Sequence, residues 1–140
     1  MQERIGLLGK LNQRAGVKVK SDRLAALVQE LPAAQDAYER ARANLAVQER
    51  LLAEREDILL AQVEGKNAEV RKAALLAAKQ SDREWQQLLN ICNTIRGQVL
   101  DAALTLEGRR REWAALTIQI GIFTATLGFL AGVQSKEREE

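Results

Sequence analysis

One stripe of apolar positions runs through the C-terminal half of the chain without slipping. Trp85, Leu88, Cys92, Ile95, Val99, Ala102, Leu106, Arg109, Trp113, Leu116, Ile120, Phe123, Leu127 and Leu130 stand alternately three and four residues apart, and Arg109 is its one charged member. That spacing places every position on one face of an α-helix and reads as a coiled-coil-like seam, which predicts a single long helix over about 82–131. At about 1.5 Å of rise per residue such a helix is roughly 73 Å long. A second seam precedes it. Tyr38, Leu45, Leu52 and Leu59 repeat every seven residues, with Ala34, Ala41, Gln48 and Arg55 at the companion positions. It predicts a helix from Ala33 to Gln62, roughly 45 Å long by the same rule.

Between the seams lies Val63-Glu64-Gly65-Lys66-Asn67. Gly65 and Asn67 both tolerate left-handed backbone and both end helices, so a break is expected at 63–68. Ala68–Gln80 forms a helical spacer, with Val70, Ala74 and Ala77 on one face and Leu75 and Leu76 beside them. Ser81-Asp82-Arg83-Glu84 then reads as a capping box, with Ser81 as N-cap and Glu84 reaching back. Upstream, Ser21 is a second expected N-cap for a helix carrying Leu24, Leu27, Val28 and Leu31. Pro32 ends or kinks that helix, or opens the next one.

These elements predict an all-α fold: a long antiparallel helical hairpin, or coiled-coil-like bundle, that is oligomeric. Residues 1–20, broken by Gly6, Gly9 and Gly16, form an irregular N-terminal arm with a basic bias from Arg4, Lys10, Arg14, Lys18 and Lys20. The hairpin domain occupies 21–132 and a charged tail 133–140. The faces flanking the seam between Trp85 and Leu106 hold mainly Gln, Asn and Thr, which fits burial on more than one side. Self-association would supply that burial, through Trp85, Ile95, Val99, Leu106, Trp113, Leu116, Ile120 and Phe123.

Composition narrows the chemistry. The 140 residues contain no His and one Cys, Cys92, and carry a formal charge of +2. The commonest general base and metal ligand is therefore absent, and a single thiol builds neither an internal disulfide nor a Cys-rich zinc site. Cys92 sits on the apolar seam and reads as a small core residue. Gly65-Lys66 is not a phosphate loop. Position 60 is Leu where a Gly is required, Asn67 replaces the Ser or Thr, and no strand precedes the motif. Glu54, Glu56 and Asp57 lie among Arg50 and Arg55 and read as a salt-bridged surface, as does Asp36 with Arg40. No catalytic, cofactor or metal site is expected, and the chain reads as a non-enzyme. Arg109, Arg110 and Arg111 form the densest basic cluster. Surface charge is the first reading of them, and contact with nucleic-acid phosphates a second, weakly supported by a balance of +2.

The run from Trp113 to Val133 carries no charge. It is long enough to span a bilayer, has basic residues on its N-terminal side, and contains a small-xxx-small pair, Gly128 and Gly132. Thr117, Gln119, Thr124 and Thr126 weigh against that, and so does the seam that continues into it. Gly121 and Gly128 each cost a helix about 1 kcal/mol relative to Ala and make most sense where another backbone comes close. Two readings stay open: a helix buried in protein, and a tail anchor at 113–133. No secretory leader is visible, so a cytoplasmic location is expected, with the inner membrane as the alternative.

Val63-Glu64-Gly65-Lys66-Asn67-Ala68-Glu69-Val70-Arg71-Lys72-Ala73 resembles a recurring stretch in small uncharacterised helical proteins of tailed phages and prophages, in which a Glu-Gly-Lys-Asn break joins a first helix to a short one and a long coiled coil. Arg110-Arg111-Glu112-Trp113-Ala114-Ala115-Leu116 is similar to their late Arg-Arg-Glu-aromatic segment. The resemblance covers roughly residues 45–132 and departs after Leu116. It implies a bacterial host cell and, by gene neighbourhood, an accessory or binding module in phage DNA recombination or replication, with a protein of that complex as partner. The shared Glu64, Lys66 and Asn67 are then the expected interaction tip.

Overall fold

The computed structural model describes the backbone of residues 2–139 and the side chains of residues 16–130. Three helices follow one another: α1 (Gln2–Gln62), α2 (Ala68–Ser81) and α3 (Arg83–Glu139). Every regular element among the described residues is α-helical, in keeping with a sequence rich in Ala, Leu, Glu, Gln and Arg.

The chain forms two compact units. The terminal unit joins the start of α1, up to Ala34, to α3 from Leu106 onward; the corner unit is Gln35–Thr105 and contains the end of α1, all of α2 and the start of α3. In both, α1 and α3 lie antiparallel. The corner unit pairs Glu49 with Arg96 and Arg55 with Glu84, and the terminal unit pairs Arg23 with Glu112 and Glu30 with Arg109. In each case a later position on α1 meets an earlier one on α3.

The seams read from the sequence are the packed faces. Tyr38, Leu45 and Leu52, with Ala34, Ala41, Gln48 and Arg55, are half-buried and Leu59 is buried. On α3 every seam position from Trp85 to Phe123 is buried or half-buried. Leu27 and Leu106 form the buried centre of the terminal unit, and Leu59, Cys92 and Ile95 that of the corner unit. Two helices share one stripe, so their outer faces stay open and large apolar side chains such as Leu100, Leu104 and Ile118 are exposed.

The structure departs from the sequence expectations at several places. The arm over 1–20 is not irregular, and Ser21 caps nothing, because α1 starts at Gln2 and runs through both. Isolated glycines lower helix stability without breaking a helix whose other residues favour it. Arg4, Lys10 and Arg14 lie outside the described side chains. Pro32 neither ends nor starts a helix; α1 runs through it. Its ring removes one backbone donor, which a long helix tolerates when the turns on either side are held by tertiary packing. Leu31 and Ala34 supply that packing from half-buried positions. The division of α1 between the two units falls two residues later, after Ala34. The break is 63–67, with Ala68 already in α2. The stretch 133–140 is not separate from the long helix, since α3 continues to Glu139.

Candidate functional site

The corner unit is closed by two caps that depend on single side chains. At the end of α1 the Val63 N–H donates to the Leu60 carbonyl at 3.2 Å. Asn67 then takes an extended conformation, φ −146° and ψ 172°, and its Oδ1 accepts from the Val70 N–H at 2.9 Å. It is the N-cap of α2. Neither Gly65 nor Asn67 uses the left-handed backbone expected of them, since no residue here has positive φ. Gly65 is required for space instead. A Cβ there would sit 2.9 Å from Cγ of Arg71, 3.1 Å from its backbone nitrogen and 3.1 Å from Cγ1 of Val70. Of the expected interaction tip, Glu64 and Lys66 are exposed and near each other in the turn, whereas Asn67 is occupied as a cap.

The second cap is Asp82, not Ser81. Ser81 ends α2, and its hydroxyl donates back to the Ala77 and Ala78 carbonyls at 3.1 and 3.2 Å. Such local back-bonding takes the hydroxyl away from the role that the Ser-x-x-Glu pattern suggested. Asp82 serves both helices. Its N–H donates to the Ala78 carbonyl at 2.9 Å, and its Oδ2 accepts from the Trp85 N–H at 2.8 Å. The same carboxylate receives a two-pronged contact from Arg55, Nε at 2.8 Å and Nη2 at 2.7 Å. Glu84 meets the same guanidinium, 3.1 Å from Nη1, instead of reaching back to the cap. The Arg55 hydrogen bonds, reinforced by the Trp85 N–H, hold the Asp82 carboxyl down to about 2. Asp82 raises the already high pKa of Arg55 in return.

On α2, Ala74, Leu75, Ala78 and Lys79 are the half-buried positions, while Val70 and Leu76 are exposed, so the packed face differs from the expected Val70–Ala74–Ala77 line. Lys79 pairs with Glu56 at 2.9 Å and lies 5.3 Å from the centroid of the Trp85 ring. An open groove of about 490 Å³ between α1 and α2 is lined by Leu75, Leu76, Ala73 and the charges of Glu56, Glu69, Lys72 and Lys79. Of the carboxylate cluster, Glu54 is 3.8 Å from Arg50 and Glu56 belongs to Lys79, a salt-bridged surface as the sequence suggested.

In the terminal unit the charges interlock. Arg23 contacts both oxygens of Glu112, with Nη2 3.0 Å from Oε2, and donates through Nη1 to Glu30 at 2.9 Å. Arg109 completes the set, its Nε 3.1 Å from Glu30 Oε2 without hydrogen-bond alignment. The Arg23 contact holds the Glu112 carboxyl below its usual range. Arg111 pairs with Glu107 at 2.6 Å, and Arg110 is exposed. Of the arginines considered for phosphate contact, Arg109 and Arg111 thus each face a carboxylate. Of the expected self-association seam, Trp85, Val99, Trp113, Leu116, Ile120 and Phe123 are half-buried and Ile95 and Leu106 buried within the chain itself.

Beyond Phe123 the seam opens. Leu127 and Leu130 are each 51% exposed. By the antiparallel register set by Arg23 and Glu112, the opposing α1 positions fall before Gly16, outside the described side chains. The outer face of this stretch is apolar as well, with Ile118 62%, Ile122 63% and Phe129 71% exposed. Among the described residues, α3 is the one helix long and apolar enough to cross a membrane; its 18-residue window of mean hydropathy 1.6 has no buried part. The hydroxyls of Thr117, Thr124 and Thr126 donate to the carbonyls of Trp113, Ile120 and Ile122, four residues back.

Among the described residues no group of three or more His, Cys, Asp or Glu is placed to hold a metal ion. Cys92 is fully buried on the seam, where a small core residue was expected. Comparison with protein-family models, with curated proteins and with solved structures returned no match.

Proposed function

We propose that the chain is a non-enzymatic helical interaction module that self-associates. In this reading it serves as an accessory to a phage or prophage DNA recombination or replication complex in the bacterial cytoplasm. The observation that carries self-association is the exposed apolar surface of α3 from Ile118 to Leu130. Apolar side chains left in water at this density mark a surface that another surface covers. The corner supports a binding role. Its charged groups are consumed in holding helices together, as Asp82 with Arg55 and Glu56 with Lys79, while Glu64 and Lys66 stand outward where a partner protein would reach them. The phage setting comes from the Glu-Gly-Lys-Asn stretch and the late Arg-Arg-Glu-Trp segment. Nucleic acid is the weaker partner, because Arg109 and Arg111 already face Glu30 and Glu107.

A tail-anchored membrane protein is the second reading, favoured by the charge-free run 113–133 behind Arg109–Arg111. Threonine hydroxyls satisfied on their own helix are also compatible with lipid. Fractionation of cells expressing the full chain separates the two. The module reading expects the protein in the soluble fraction without detergent. Recovery with membranes, and release by detergent alone, would replace it with the tail anchor.

A further inference from the structure

We propose that an acidic amphipathic helix of a partner protein docks along α2, in the groove between α2 and the end of α1. The inference rests on the reading of the corner as the partner-binding end, and it adds the surface and the chemistry that surface takes. Two grooves of about 490 and 290 Å³ have Lys72 and Leu75 in common and form one shelf along α2. From Ala68 to Lys79 the shelf is roughly 16 Å long, or about three turns of a docked helix. Its floor is apolar: Leu60 and Leu76 are 49% and 59% exposed, and Leu75 is half-buried beside them. No residue of α2 is buried, so this helix is presented to the outside as much as it is packed.

Charge identifies the occupant. Elsewhere in the corner unit, cations at helix contacts meet carboxylates of the facing helix: Arg96 meets Glu49, Arg55 meets Glu84 and Lys79 meets Glu56. By the register of that last pair, Leu75 faces Leu60, whereas Arg71 and Lys72 stand level with Val63 and Glu64, past the end of α1 at Gln62. Among the described residues neither cation forms an ion pair, with Glu64, with Glu69 or with any other carboxylate. The Arg71 side chain makes a single bond, from Nε to the Asn67 carbonyl at 3.4 Å. The smaller groove therefore joins two uncompensated cations to Leu60 and Leu75, with no carboxylate in its lining. Along the whole shelf Arg71, Lys72 and Lys79 outnumber Glu56 and Glu69, and Glu56 is already held by Lys79. An acidic amphipathic helix supplies what α1 supplies one turn further along α2: apolar side chains on Leu60 and Leu75, and carboxylates on Arg71 and Lys72. A basic helix would set like charges against each other.

Fluorescence anisotropy of a labelled peptide against the full chain tests this. The probe is a synthetic helix of about 15 residues, leucine on one face and glutamate on its flanks, and a second probe carries lysine in place of glutamate. Lys72→Glu is an exposed change that removes no contact within the chain, and Lys18→Glu makes the same charge change on the first part of α1. Circular dichroism confirms that both variants keep their helicity. The glutamate peptide is expected to bind the native chain and Lys18→Glu alike, and Lys72→Glu about tenfold more weakly. The lysine peptide is expected to reverse that order and to prefer Lys72→Glu. Equal weakening by Lys18→Glu would reduce the effect to overall charge and overturn the proposal. Lys66→Glu separates the failures. Glutamate-peptide binding lost with Lys66→Glu and kept with Lys72→Glu overturns the groove and leaves the corner as the contact end, while no binding to the native chain, or binding that neither variant weakens, overturns both.

Discussion

Asp82 receives the Trp85 N–H at the start of α3, gives its own N–H to the end of α2, and binds Arg55 of α1 through both carboxylate oxygens. Asp82→Asn separates these roles, because asparagine caps a helix about as well as aspartate but cannot form the ion pair. The folded carboxyl is depressed from 3.8 to about 2, so its contribution is complete above the unfolded value and disappears as pH falls through the folded one. Denaturant unfolding should therefore show the native chain more stable than Asp82→Asn by a constant margin above pH 3.8, narrowing toward pH 2. A margin that persists unchanged below pH 2 would remove the charge from the explanation. The polar members of the two seams were the legible sign of such contacts. Arg109 stood alone among apolar seam positions and Arg55 among the small and polar companions of the first seam, and both are ion-paired to the opposing helix. Their partners were not legible, because helical periodicity fixes which face a residue occupies and not which residue lies opposite.

At the scale of elements, the break between α1 and α2 was visible in the sequence, and its mechanism was not. Gly65 and Asn67 were expected to supply left-handed backbone; they supply space and a cap. Several local solutions end a helix equally well, and composition does not choose among them. The capping box failed in the same way, displaced by one residue because Asp82 has an arginine to gain and Ser81 has nearby carbonyls to satisfy. Asn67→Ala is expected to cost about 1 kcal/mol through loss of the Val70 bond. Gly65→Ala should destabilise the corner through contact with Arg71 and Val70. Thermal melts check both, and an unchanged melting temperature for either contradicts the corresponding role. Asn67 is for that reason a poor probe of partner binding, and Lys66→Ala, at an exposed position, is the cleaner one.

For the whole molecule, the all-helical class and most of the packing faces were written in the three–four spacing: the structure follows them at Leu24, Leu27 and Leu31, from Tyr38 to Leu59 and from Trp85 to Phe123, while Val28 of the expected first face is exposed. What the spacing did not separate was contact within the chain from contact between chains, because both use the same periodicity. The seam expected to self-associate is buried or half-buried within the chain as far as Phe123, and the apolar surface left exposed is the outer face of α3. Two helices sharing one stripe leave more apolar surface in water than a closed bundle does, which is the physical ground for a second chain. Size-exclusion chromatography with light scattering on the full chain in detergent-free buffer at micromolar concentration addresses this directly. A mass at a whole-number multiple, two or more, of 15.6 kDa is the predicted result, and a stable monomer at 15.6 kDa would contradict it.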